Sequence, residues 1–149
     1  MSFAALTISD TGSPYYGDCS VVYRTDLIAH RASLFEENTT NFRIRKRIVE
    51  ADEIPKGYRS TWGDRIKLCI AKLEKGVDTT LTSDKYSFLL LSPGAAGADG
   101  DFVEVQIYGP ITIRTVKKIA FTAKARSKAE QAIVKSIKNM AEHFGVTVV

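Results

Sequence analysis

The chain has 149 residues, 44% of them hydrophobic and 26% charged, with a formal net charge of +4 and an isoelectric point of about 9.1. That length and balance fit one globular domain and exclude a disordered chain. No apolar run reaches the ~20 residues that span a bilayer. Met1 to Ile8 has neither the basic start nor the cleavage site of a signal peptide, and Ser2 replaces the glycine that myristoylation needs. Cys19 and Cys69 lack the spacing of a zinc site or a redox pair, so the expectation is a reduced protein that folds without metal, cofactor or disulfide.

Phe3 to Ile8 reads as a first strand, followed by a turn-rich stretch to Asp18 that makes residues 1–18 a candidate mobile segment. Cys19 to Ile28 reads as a second strand. Phe42, Ile44 and Ile48 alternate with Arg43, Arg45 and Arg47, the period of a half-exposed strand. A helix is expected over about 61–75: Thr61 and Asp64 resemble a capping box, Trp62, Ile66, Cys69, Ile70 and Leu73 form an apolar stripe, and Gly76 stops it. Ile70 is expected in the core.

Tyr86 to Leu91 is a continuous apolar run that suits a buried strand. A Gly- and Ala-rich connection, 92–101, leads to Phe102–Tyr108, which alternates cleanly between polar and apolar residues. Gly109-Pro110 reads as a hairpin turn, or a bend in one long strand continued by Ile111, Ile113 and Thr115. The last helix spans about 127–144. Ser127 and Glu130 form its capping box, Ala129, Ile133, Ile137, Met140 and Phe144 its buried stripe, and Gly145 its stop. Val146 to Val149 suit a closing strand. The sum is an α+β single domain over residues 1–149, a mostly antiparallel sheet carrying two main helices.

Catalysis needs a few groups with matched roles, and no such set stands out. His143 sits in the last turn of a helix, where an imidazole caps carbonyls. His30 follows a strand beside Arg31. The 92–101 stretch lacks the Lys-Ser/Thr ending of a phosphate loop and the late glutamate of a calcium loop. It reads as a connection suited to partner contacts. Tyr86-Ser87-Phe88-Leu89 has the form of a sorting signal but falls in an expected buried strand, and Ser13-Pro14-Tyr15-Tyr16 is an incomplete PPxY motif.

The cations say more. Arg114, Lys117, Lys118, Lys124, Arg126 and Lys128 occupy a window that contains no acidic residue. Such a strip suits phosphates or anionic lipid, and the start of the last helix adds backbone N–H donors beside it. A solvated surface is the competing reading. Arg43, Arg45, Lys46 and Arg47 form a second basic cluster.

The C-terminal third is Gly109-Pro110-Ile111-Thr112-Ile113, the basic strip, Ser127-Lys128-Ala129-Glu130-Gln131-Ala132-Ile133 opening a helix, and Phe144-Gly145-Val146-Thr147-Val148. It resembles the end of matrix proteins of non-segmented negative-strand RNA viruses, of the rhabdovirus and bornavirus kind. The lysine-rich tail and PPxY motif of many animal rhabdovirus members are missing. The resemblance implies a basic α+β structural protein of the virion and host-cell cytoplasm. It implies self-association into a homo-oligomer, contact with nucleocapsid protein or RNA or peripherally with an anionic membrane surface, and no catalytic site. The alternatives are a stand-alone nucleic-acid-binding module and a small enzyme without a recognisable motif.

Overall fold

The computed structural model describes residues 1–10, 17–49, 58–74, 77–92, 101–121 and 127–149. Gly76, most of the 92–101 connection, Ser13-Pro14-Tyr15-Tyr16, Lys124 and Arg126 lie outside them. The fold is α+β, with helices and largely antiparallel sheets. The chain divides into two compact units, each built from two stretches of sequence.

The first unit comprises Met1–Ile8 and Ala29–Gly109. Its strands are β1 (Ser2–Ala5), β3 (Ala32–Phe35), β4 (Arg59–Thr61) and β5 (Glu104–Ile107), in the antiparallel order β1-β5-β3-β4. Residues opposite one another across a ladder share a face. Ala4, Val105, Ile107 and Leu34 therefore form one face, and Ala5, Glu104, Gln106, Ser33 and Phe35 the other. All four residues of β5 are buried, so the polar alternation of 102–108 does not mark a wet face. Phe35, Phe42, Leu90, Leu91 and Val103 complete this core.

Three elements of this unit differ from the sequence reading. The segment around Arg43, Arg45 and Arg47 is helix α2 (Thr39–Lys46), not a strand. Asn38 decides it: its side-chain oxygen accepts from the N–H of Thr40 and of Asn41, 2.9 and 3.2 Å away, satisfying donors the first turn leaves open. Only Phe42 of the alternating apolar residues enters the core, so the period-two pattern had no sheet face to fill. Second, Ser83–Phe88 winds as a 3-10 helix, with Lys85 N–H bonding Thr82 and Leu89 N–H bonding Tyr86; only Leu91 pairs, with Phe102. Periodicity cannot separate a strand from a helical turn in so short a run, and Tyr86, at its start, is exposed. Third, Trp62–Asp64 is a 3-10 turn leading into α3 (Arg65–Leu73). Thr61 does not cap a backbone N–H; its hydroxyl donates to Asp64 at 3.1 Å. No residue of α3 is fully buried, and Ile70 is 64% exposed, which overturns its place in the core. The side facing inward carries Trp62, Leu68, Cys69 and Leu73, all half-buried.

The second unit comprises Ser9–Ile28 and Pro110–Val149. Its strands β2 (Cys19–Tyr23), β6 (Val116–Phe121) and β7 (Thr147–Val148) form the order β2-β6-β7, the first pair antiparallel and the second parallel. The second strand stops at Tyr23, with a register shift between Val22 and Tyr23. The short helix α1 (Thr25–Ile28) follows where a continued strand was expected. The hairpin expected at Gly109-Pro110 is absent. Gly109 takes φ +76 and proline fixes the next φ. Ile113–Thr115 then turns as a 3-10 helix, with the Thr115 hydroxyl donating to the Thr112 carbonyl at 2.6 Å, and β6 joins the second sheet.

Helix α4 (Lys128–His143) has the expected capping box: Ser127 N–H donates to the Glu130 carboxylate at 3.2 Å and Glu130 N–H to the Ser127 hydroxyl at 3.1 Å. Gly145 ends it at φ +65. Ala141 packs against Val116, Ile119 and Val146, with Ile137 beside them.

Candidate functional site

The expected basic strip is broken up. Arg114 stands exposed on the 3-10 turn and Lys128 exposed at the start of α4. Lys117 is ion-paired with Asp10, and Lys118 donates to the Asp10 backbone carbonyl at 3.1 Å. Asp10 thus answers two of the cations, although in sequence it lies far from the acid-free window.

The second basic cluster is more open. Arg43, Arg45, Lys46 and Arg47 are all exposed at the C-terminal end of α2, where cations complement the partial negative charge of the last carbonyls. Arg45 pairs with Glu37, which raises the guanidinium's pKa. Among the described residues, Arg43, Lys46 and Arg47 make no ion pair. The helix end is fixed by two backbone bonds: Arg47 N–H to the Ile44 carbonyl at 3.1 Å and Ile48 N–H to the Arg43 carbonyl at 2.9 Å. This closure needs a left-handed residue, and Arg47 supplies it at φ 54, a conformation that usually selects glycine. Ile44, 72% exposed, lies about 200° around the helix from buried Phe42 at ~100° per residue. Val49, 63% exposed, follows the helix end.

The base of this helix is held by two polar networks that the sequence did not reveal. Buried Glu104 accepts from the Thr39 hydroxyl at 2.7 Å, the Thr39 N–H at 3.2 Å and the Gln106 amide at 2.8 Å, as a buried carboxylate requires. On the other side the Tyr58 ring stacks on Phe42 at 22° between planes, and its hydroxyl donates to the same Glu37 oxygen that pairs with Arg45. Burial first, then that carboxylate, pushes the Tyr58 phenol far above its ordinary pKa. Lys72 on α3 is nearly buried and donates to Asp101 and, at 2.7 Å, to the Glu36 carbonyl. The only early signal for these contacts was the alternation of Glu104 and Gln106.

No protein-family model, curated protein or solved structure matches this chain.

A second surface lies on α4. Its apolar arc is wider than the narrow second sheet covers. Ala141 is buried and Val134 and Ile137 are half-buried, whereas Ile133, Met140 and Phe144 are 59%, 57% and 47% exposed. The expected buried stripe is therefore rotated: Ala129, Ile133, Met140 and Phe144 form an outward strip. The capping box fixed the start of the helix, but only the position of the sheet fixes which part of the arc is inward. His143 sets its ring edge-on to Phe144, with centroids 5.0 Å apart. Cys19 is exposed and Cys69 half-buried, both free thiols, and burial pushes both thiols up in pKa. Among the described residues no cluster of His, Cys, Asp or Glu is placed to hold a metal ion, and no helix is long and apolar enough to cross a membrane.

Proposed function

We propose that this is a structural protein of the viral-matrix kind, which self-associates and offers cations to an acidic partner rather than performing catalysis. The observation that carries the reading is the outward strip Ile133, Met140 and Phe144 on α4. Contiguous exposed apolar surface of this kind marks association sites. A two-fold contact uses the same patch on both copies, so one helix face suffices for a dimer. The exposed cations at the end of α2 supply the surface for nucleocapsid, RNA or anionic membrane.

Light scattering across protein concentration tests the association. The unmodified chain is expected to grow in mass with concentration without RNA, and Ile133→Ser with Met140→Ser to remain a monomer with an unchanged melt. A concentration-independent monomer would remove the reading. The stand-alone nucleic-acid-binding module then takes its place, favoured by the cluster Arg43, Lys46 and Arg47, and salt-sensitive RNA binding by a monomer is its signature.

A further inference from the structure

We propose that the polar face of the first sheet binds an N-acylated α-amino acid carboxylate, the chemistry that a small N-acyl amino acid shares with the last residue of a peptide. Arg59 meets the carboxylate, Gln106 the amide N–H and Phe3 the apolar side chain.

The strand registers bring these residues together from separate strands. Phe3 stands opposite Gln106, Gln106 opposite Ser33, and Ser33 opposite Thr61. The four form one row across the sheet, with neighbouring strands about 4.8 Å apart. Ala5, Glu104, Phe35 and Arg59 form the adjoining row on the same face. A sheet face turned inward is ordinarily apolar along such rows. Here Ser33, Glu104 and Gln106 are 2%, 4% and 9% exposed.

Their hydrogen bonds leave a specific remainder. The Gln106 amide nitrogen directs both hydrogens into the protein, to Thr39 Oγ1 at 3.1 Å and Glu104 Oε1 at 2.8 Å. That fixes the orientation of the amide and leaves its oxygen as an acceptor without a donor. Among the described residues no fully buried side-chain nitrogen or oxygen lacks a partner, so this oxygen is open to solvent. Arg59 donates its Nε–H to the Ser33 hydroxyl at 2.8 Å, which brings the guanidinium to the row that holds Gln106. Its two terminal nitrogens make no hydrogen bond or ion pair.

A guanidinium fork and, one strand away, a lone amide acceptor thus share one face. The fork matches a carboxylate in two parallel bonds. The amide oxygen wants an N–H. A neutral amide N–H suits it better than an ammonium, because Glu104, the neighbouring carboxylate, already accepts from three donors. An N-acylated α-amino acid carries that N–H and the carboxylate on one carbon. A phosphodiester backbone would satisfy Arg59 but brings no N–H to Gln106. Phe3, 61% exposed at the end of the row, offers the ligand's side chain an apolar neighbour.

NMR titration of the full chain tests the site, reading the Gln106 side-chain amide and the Arg59 Nε–H. The probe is N-acetylphenylalanine, compared with its C-terminal amide and its N-methylated acid. The acid is expected to shift both signals with a dissociation constant on the order of 1 mM, ordinary for so small a ligand. The amide lacks the charge and the N-methylated acid lacks the N–H, so each should bind at least about ten-fold more weakly. Arg59→Lys keeps the charge but not the fork and should lose about ten-fold. Phe3→Ala, on an exposed side chain, should lose about five-fold with an unchanged melt. Glycylglycylphenylalanine distinguishes the sources: binding as tight as the probe's assigns the site to peptide ends, and exclusion assigns it to small acids. Unshifted signals up to about 10 mM probe, ten-fold above the expected constant, overturn the proposal. So does equal binding of acid and amide, or a folded Arg59→Lys that binds like the original.

Discussion

Arg47 and Gly145 fill the same position in two copies of one helix-ending motif, at φ 54° and 65°. In both, the N–H of the next residue returns to a carbonyl five residues back: Ile48 to Arg43 and Val146 to Ala141. One helix ends on the residue that the motif favours and the other on a strained cation. Arg47→Gly should therefore raise the unfolding free energy by about 1 kcal/mol, and Gly145→Arg lower it by a similar amount. Urea unfolding of the two variants measures the pair, and a destabilised Arg47→Gly would mean that the arginine side chain is needed for the fold.

Glu104 ties β5 to the start of α2 through Thr39. Glu104→Ala leaves the Thr39 and Gln106 donors buried without their acceptor, a loss of about 1–3 kcal/mol. Denaturant midpoints should show it. A shift below the error of the measurement would mean that water reaches these groups.

Ile70 and Leu34 separate the two sides of the first unit. Leu34 is fully buried, and Leu34→Ala should lose about 2–5 kcal/mol. Ile70→Ala should change stability by no more than about 0.5 kcal/mol. A large loss at Ile70 would show that its face is covered in solution.

Tyr58 makes the first unit sensitive to base. Its folded pKa lies above the ordinary phenol value, so the contribution is full below about pH 10, where folded and unfolded phenols are both protonated. Above that, the unfolded chain releases the proton first and stability falls as pH rises. Tyr58→Phe keeps the ring against Phe42 and should flatten this alkaline decline. Phenolate absorbance titrations of the two proteins should differ by one late-titrating group.

Cys19 and Cys69 are both pushed toward the thiol form. Alkylation at neutral pH should be slow at both and rise with pH through and beyond the ordinary thiol range, because the thiolate reacts. Cys19, the exposed one, should react first. Thermal melts in reductant and chelator should match those without.

The sequence exposed the α+β class and the beginning and end of α4 because capping and glycine stops are local chemistry, settled within a few residues. It misplaced α2, where the alternation of Arg and Ile is satisfied equally by a strand and by a helix with one buried residue. The Asn38 cap was the local signal that separates the two. The inward faces of α3 and α4 were misjudged at Ile70, Ile133 and Met140 for a different reason. An apolar arc tells how much of a helix prefers to leave water, whereas the width of the neighbouring sheet decides how much of it can. The Asp10 contacts with Lys117 and Lys118 were invisible because they join residues far apart in the chain.

The pairing of β1 with β5 and of β2 with β6 joins residues about a hundred positions apart in both sheets. On the ribosome, β1 and β2 emerge before their partners and have no ladder to enter until β5 and then β6 have been synthesised. Contacts of such long reach slow folding, since chain closure must come before they reward it. The nascent protein therefore carries two unpaired strands while the intervening hundred or so residues are made, a window in which a chaperone, or another chain leaving a neighbouring ribosome, can reach them first.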